Sequence, residues 1–221
     1  MYITEMTGQI DWEHFYLPNI PIYQAKLPQE VMDVLWGYVD KAKRNVNHLL
    51  AGNISQSLEL EDERSWFFRS IVGPIADRYI SGLEQGGIRW IQNASARKED
   101  KITMNRFWVN FQNKHEFNPV HDHSGLVSFV IWMKIPTHWK DQHALPFVAN
   151  ANNKCASDFH FHYSDMLGNH QGFQVKMAEY QEGWIMVFPA KLRHQVYPFY
   201  ESDEQRVSIS GNISWENRLN D

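Results

Sequence analysis

From about residue 88 onward the chain is written in short runs of Trp, Phe, Val, Ile and Tyr, broken by Asn, Asp, Gly and Pro. Aromatic and β-branched side chains suit a pleated, half-buried surface, and the breaking residues supply turns. This pattern places strands at 89–92, 102–111, 125–134, 158–163, 173–178, 184–188, 194–197 and 205–213. About eight short strands must close on themselves or pack as two sheets, which points to a jelly roll or barrel.

Two helical patterns precede the strands. Pro28 suits a first helical turn, and Val31, Val34, Leu35, Tyr38 and Val39 follow at helical spacing, so a helix is expected over 28–46. A second begins at the acidic cluster Glu61, Asp62, Glu63 and runs to about Gly82, with Gly73 and Pro74 set to kink or split it. The expected architecture is mainly β with N-terminal helices on a jelly-roll or cupin-like core. A single domain is expected, its helical region 1–88 packed on a β core 89–221. The polar stretch 138–157, interrupted by Pro146, reads as a long loop, and loops of that length are often lids or binding segments.

With 43% hydrophobic and 14% aromatic residues, the chain carries enough apolar surface for a core. A net charge of -5 argues against a protein that works by neutralising phosphates, so nucleic acid is not an expected partner. Cys155 is the only cysteine, which excludes an intrachain disulfide and a multi-cysteine zinc site and suits a reducing compartment. The N-terminus lacks a basic region followed by an apolar one, and the longest apolar run, 126–133, is far short of the ~20 residues a bilayer requires. A soluble, cytoplasmic protein without membrane partners is expected.

Chemistry concentrates in Asn118-Pro119-Val120-His121-Asp122-His123-Ser124-Gly125, just ahead of the most apolar strand. In extended chain, residues two apart share a face, so His121 and His123 aim at one point while Asp122 turns away. Imidazole is the commonest metal ligand, and such a pair needs one more partner from elsewhere. His194 is the best candidate: a glycine turn at Gly183 leads into the apolar strand 184–188, and His194 opens the next strand five residues beyond Pro189. Further on, Arg206 and Ser208 share a strand face whose alternate positions, Val207 and Ile209, are apolar. An arginine beside a hydroxyl on an inward face suits a carboxylate. His160 and His162 also share a face, but aromatic residues fill the other face of that strand, so a solvated or hydrogen-bonded polar face explains them without metal. The remaining histidines, His143 among them, stand alone and carry no expected role.

The ordered set of Trp108-Val109-Asn110, His121-Asp122-His123-Ser124-Gly125, Phe188-Pro189 to His194, and Arg206-Val207-Ser208-Ile209 resembles the iron(II)- and 2-oxoglutarate-dependent oxygenases, most closely a phage-type branch. The resemblance covers roughly residues 105–213. It implies a double-stranded β-helix whose mouth holds one Fe(II) on His121, His123 and His194. The 2-oxoglutarate cosubstrate would chelate that iron and reach Arg206 and Ser208 with its distal carboxylate, with Asn110 contacting cosubstrate or substrate. The implied activity is a dioxygenase using O2, decarboxylating 2-oxoglutarate to succinate and hydroxylating a small-molecule or peptide substrate.

The family's usual triad has a carboxylate where this chain has His123. Either the site is all-histidine, or a distorted strand end lets Asp122 reach the metal; strand alternation favours the first. Three neutral ligands leave the site at +2, which the dianionic cosubstrate would neutralise. Two other readings use the same residues: a cupin-like isomerase or lyase, or a non-catalytic protein that binds a small molecule.

Overall fold

The computed structural model describes residues 20–85 and 101–216. Among these residues ten strands form two antiparallel sheets: β1 Tyr23–Lys26, β2 Gln56–Glu59, β3 Ile102–Gln112, β4 Asn118–His121, β5 Val127–Lys134, β6 Phe159–Ser164, β7 His170–Val175, β8 Trp184–Pro189, β9 Arg193–Val196 and β10 Arg206–Trp215. The larger sheet has the order β1-β8-β5-β10-β3-β2 and the smaller β4-β9-β6-β7. From β3 to β10 the chain crosses back and forth between the sheets, with only the β6–β7 hairpin staying in the smaller one, as in a double-stranded β-helix with a jelly-roll core. The expected strand 89–92 lies outside the described residues.

Helices α1, Gln29–Lys41, and α2, Gly73–Gln85, cover the outer face of the larger sheet. Val31, Leu35, Phe67, Val72 and Tyr79 from the helical side meet Phe107, Val109, Phe129, Ile131, Val207 and Ile209 from the strands. A second apolar layer, containing Trp132, Phe159, Phe161, Met186 and Phe188, lies between the two sheets. The larger sheet is therefore buried on both faces, which is why β5 reads as a nearly unbroken apolar run. No helix among the described residues is long and apolar enough to cross a membrane.

Several boundaries differ from those expected. Helix α1 stops at Lys41, not at residue 46, because the next residues are drawn into backbone pairing: Val46 donates to the Ser57 carbonyl, and Glu59 donates to that of Arg44. The second helical region is split near Gly73 and Pro74 as expected, with a π-helical turn at Phe68–Val72 before Pro74, which has no N–H to give. Asp62 caps its start by accepting from the backbone N–H groups of Phe67 and Phe68, both at 2.8 Å. The region expected to be helical also donates β1 and β2, the two edges of the larger sheet. The 138–157 stretch is not wholly loop: it carries helix α3, Trp139–Ala144, and packs Leu145, Val148 and Ala156 together.

Candidate metal and anion centre

Strand alternation on β3 and β10 builds the floor of the site. Phe107, Val109, Val207 and Ile209 face the helices. Their neighbours face the interior, and register pairs them as four rungs: Arg206 with Gln112, Ser208 with Asn110, Ser210 with Trp108, and Asn212 with Arg106. All eight line one cavity of about 260 Å³, which also reaches His121, His123 and His194. The sequence-expected residues thus converge on one place.

His121 and His194 are register partners across β4 and β9, so their rings meet with centroids 4.3 Å apart. His123 lies past the end of β4, where its backbone N–H donates to the Ala190 carbonyl at 2.8 Å and ties the turn to the end of β8. The ligating atoms of the three histidines lie within 4.8 Å of one another. Asp122 turns away and pairs with Lys191 at 3.1 Å, while the three histidines come together.

Two of the three imidazoles are oriented by backbone carbonyls. A carbonyl can only accept, so Nδ1 of His121 donates to Pro119 O at 2.7 Å and Nδ1 of His194 donates to Leu192 O at 2.9 Å. That fixes both tautomers with the Nε2 lone pair free. Nε2 of His123 lies 3.2 Å from Nε2 of His194. Two nitrogens ~2.1 Å from a common metal are about 3.0 Å apart at a right angle and about 3.4 Å apart at a tetrahedral angle, so the spacing suits a shared ion. Burial holds all three rings neutral: it lowers the pKa of His121, lowers that of His123 to about 4 with help from His121, and pushes that of His194 well below the usual value.

Arg206 lies at the opposite end of the floor, only 2% exposed. Its Nη2 donates to the backbone carbonyl of Ser157 at 2.8 Å and to Ser157 Oγ at 2.5 Å, and Nη1 lies 3.4 Å from Gln112 Oε1. Nε has no partner. Among the described residues no carboxylate lies within 4 Å of this guanidinium. Burial lowers its pKa to about 10, which leaves it charged at neutral pH. Its hydrogen-bond acceptors are all neutral and the Asp158 carboxylate acts on it only from beyond ion-pair distance, so this buried cation is suited to an anion from outside. Asn110 is also buried, and its Oδ1 accepts the Ser57 hydroxyl at 2.8 Å.

Sequence reasoning missed the support under Arg206. Ser157 is fully buried with φ 73°. The next residue, Asp158, accepts from His143 Nε2 at 2.7 Å and from Gln174 Nε2 at 2.5 Å. His143, which stands alone in the sequence, thus ties α3 to the segment that carries Ser157. The His160 and His162 pair does not form a solvated face: Nε2 of each is buried without a partner, and His160 packs on Tyr197 with ring centroids 4.8 Å apart.

Residues 106–212 match the family described as "Putative 2OG-Fe(II) oxygenase". This stretch, just under half of the chain, is similar to the 2OG-Fe(II) oxygenases. The match supports a 2-oxoglutarate-dependent enzyme with Fe(II) and 2-oxoglutarate as its cofactors. No curated protein matches the sequence. Among solved structures it is similar to a Pseudomonas putida prolyl-4-hydroxylase at 12% identity, covering 88% of this chain and 90% of that one with a TM-score of 0.46. It is also similar to a Trichoplax adhaerens prolyl hydroxylase, solved with a hypoxia inducible factor oxygen degradation domain peptide fragment, at 12% identity, 88% and 82% coverage and a TM-score of 0.49. A Burkholderia pseudomallei oxidoreductase of the 2OG-Fe(II) oxygenase family matches at 12% identity, 86% and 84% coverage and a TM-score of 0.46.

Proposed function

We propose that this oxygenase hydroxylates its substrate at an iron held by His121, His123 and His194, with the distal carboxylate of 2-oxoglutarate seated on Arg206 and Ser208. The observation that carries the reading is the pairing, in one cavity, of three neutral imidazoles with a buried guanidinium that has no carboxylate partner. When bound, iron and 2-oxoglutarate supply the oxidant: O2 is consumed, one oxygen atom enters the substrate C–H bond, and the other enters succinate as CO2 leaves.

The chain's own part is placement. Pro119 and Leu192 carbonyls orient two ligand rings, and Ser157 and Gln112 fix the guanidinium. Asn110 lies on the rung beside Ser208, with its amide oxygen already engaged, so its NH2 is free to donate to cosubstrate or substrate. Trp132 and Phe188 line the same cavity and keep the reacting region apolar. The three-histidine set leaves no protein carboxylate on the metal, so charge neutralisation falls to the cosubstrate dianion.

Coupled assay tests the reading. With Fe(II), O2 and 2-oxoglutarate, the wild type forms succinate, whereas Arg206→Gln forms none at the same cosubstrate concentration while still binding one metal ion. Equal succinate formation by the two proteins would remove Arg206 from the cosubstrate seat.

A further inference from the structure

The fourth rung of the floor, Asn212 with Arg106, lies at the far end from Arg206 and takes no part in the proposed binding of metal or cosubstrate. We propose that Arg106 and Asn212 form the substrate-binding subsite and select a small carboxylic acid with an apolar chain. This rests on the oxygenase reading above, which assigns the Arg206 end to 2-oxoglutarate.

Order along the strands supports the assignment. Successive inward residues on a strand are about 6.8 Å apart. The Arg206 and Gln112 rung is one end, and the Ser210 and Trp108 rung lies against the histidines, since the rings of Trp108 and His123 have centroids 5.8 Å apart. The Arg106 rung is one step further, on the other side of the metal centre from the cosubstrate seat. A molecule anchored there would present a carbon a few bonds from its carboxylate to the reacting centre.

The chemistry of the rung is that of donors. Asn212 is 3% exposed, and its Oδ1 accepts the hydroxyl of Ser128, its neighbour on β5, at 2.8 Å. With the oxygen occupied, the amide NH2 is the group left for the cavity. Arg106 is exposed at the mouth, and among the described residues it has neither an ion pair nor a side-chain hydrogen bond. Glu59, which lines the same small recess beside Arg106, is already paired with Arg44 at 2.6 Å. Two donors, one of them cationic, fit a carboxylate and give an amide or an amine less.

Size and polarity define the rest of the ligand. The cavity of about 260 Å³ is smaller than the ~300–1,000 Å³ of sites for drug-sized ligands, and 2-oxoglutarate must share it. Leu49 and Leu50 border Arg106 and Trp108 at the mouth, and Leu49 is 47% exposed. These apolar side chains would lie along the aliphatic part of a small acid.

The test is anaerobic calorimetry on the protein saturated with Fe(II) and 2-oxoglutarate, using the straight-chain acids from butanoic to octanoic and their primary amides. Saturation with 2-oxoglutarate blocks the Arg206 seat, and exclusion of O2 prevents turnover. The acids are expected to bind wild type roughly tenfold or more tightly than their amides, Arg106→Gln to remove that preference, and Arg106→Lys to restore part of it. The proposal is overturned if acid and amide bind equally, if no acid of the series binds, or if Arg106→Gln leaves the preference intact. A parallel titration of 2-oxoglutarate separates the two readings. Normal cosubstrate affinity with no acid preference defeats only the subsite. Loss of acid preference in Arg106→Gln, in a protein that never binds 2-oxoglutarate, defeats the cosubstrate seat and supports the subsite.

Discussion

His121 and His194 face each other across β4 and β9, and each donates its Nδ1–H to the carbonyl of the residue two positions before it, Pro119 and Leu192. The same local device on two paired strands leaves two Nε2 lone pairs at one point, to which the turn past β4 adds His123. Removing one ligand should therefore abolish the site, whereas removing Asp122 should not. His194→Ala is expected to lose the bound metal, and Asp122→Ala, which breaks only an exposed pair with Lys191, to keep one equivalent. Elemental analysis after anaerobic loading and desalting reads both.

At the other end of the floor, Ser157 is the contact that holds Arg206. Ser157→Ala deletes the hydroxyl that accepts from Nη2 and leaves the backbone carbonyl in place. The expected result is a roughly tenfold weaker 2-oxoglutarate affinity with metal affinity unchanged, and a loss of about 100-fold or more for Arg206→Gln. Titration of 2-oxoglutarate into the metal-loaded variants measures both.

Much of this site is legible in the sequence because it depends on alternation. Residues two apart share a face, so His121 with His123 and Arg206 with Ser208 can be paired from spacing, and Asp122 can be turned away. The role of Ser157 is not legible: it reaches Arg206 from 49 positions away through a loop whose path is fixed by tertiary contacts such as His143 with Asp158. The same holds for β1 and β2. Each has four residues, and three of those in β1 are exposed, so neither carries enough apolar periodicity to mark a strand; they exist because the larger sheet offers them unpaired edges. Helix α1 ends early for a similar reason, since its helical pattern continues while the backbone finds partners in β2.

Gly125 has φ 109°, and a Cβ there would stand 2.9 Å from both Ile213 O and Ser214 Oγ. Both the backbone conformation and the lack of space oppose any other residue in the turn between His123 and β5. Gly125→Ala should cost about 1–3 kcal/mol, read as a lower urea midpoint, and should weaken metal binding by displacing His123.

Acid should destabilise the fold through His160, which is 5% exposed. Burial, reinforced by His162 and His143, lowers its pKa to about 4. Above pH ~6.5 the ring is neutral in both folded and unfolded states and has no effect on stability. Below that pH the unfolded chain takes up a proton that the folded state refuses, so stability falls progressively toward pH 4, by about 2 kcal/mol between pH 7 and pH 5. Urea midpoints of the metal-loaded protein across that range should decline, and His160→Asn should flatten the decline by that amount.

One iron on three histidines should accept 2-oxoglutarate as its chelate. Visible absorption during anaerobic titration of the Fe(II)-loaded protein with 2-oxoglutarate tests it most directly. A metal-to-ligand charge-transfer band should develop, saturate at one equivalent and be absent in His194→Ala. A titration that binds Fe(II) but develops no such band in the wild type would contradict it.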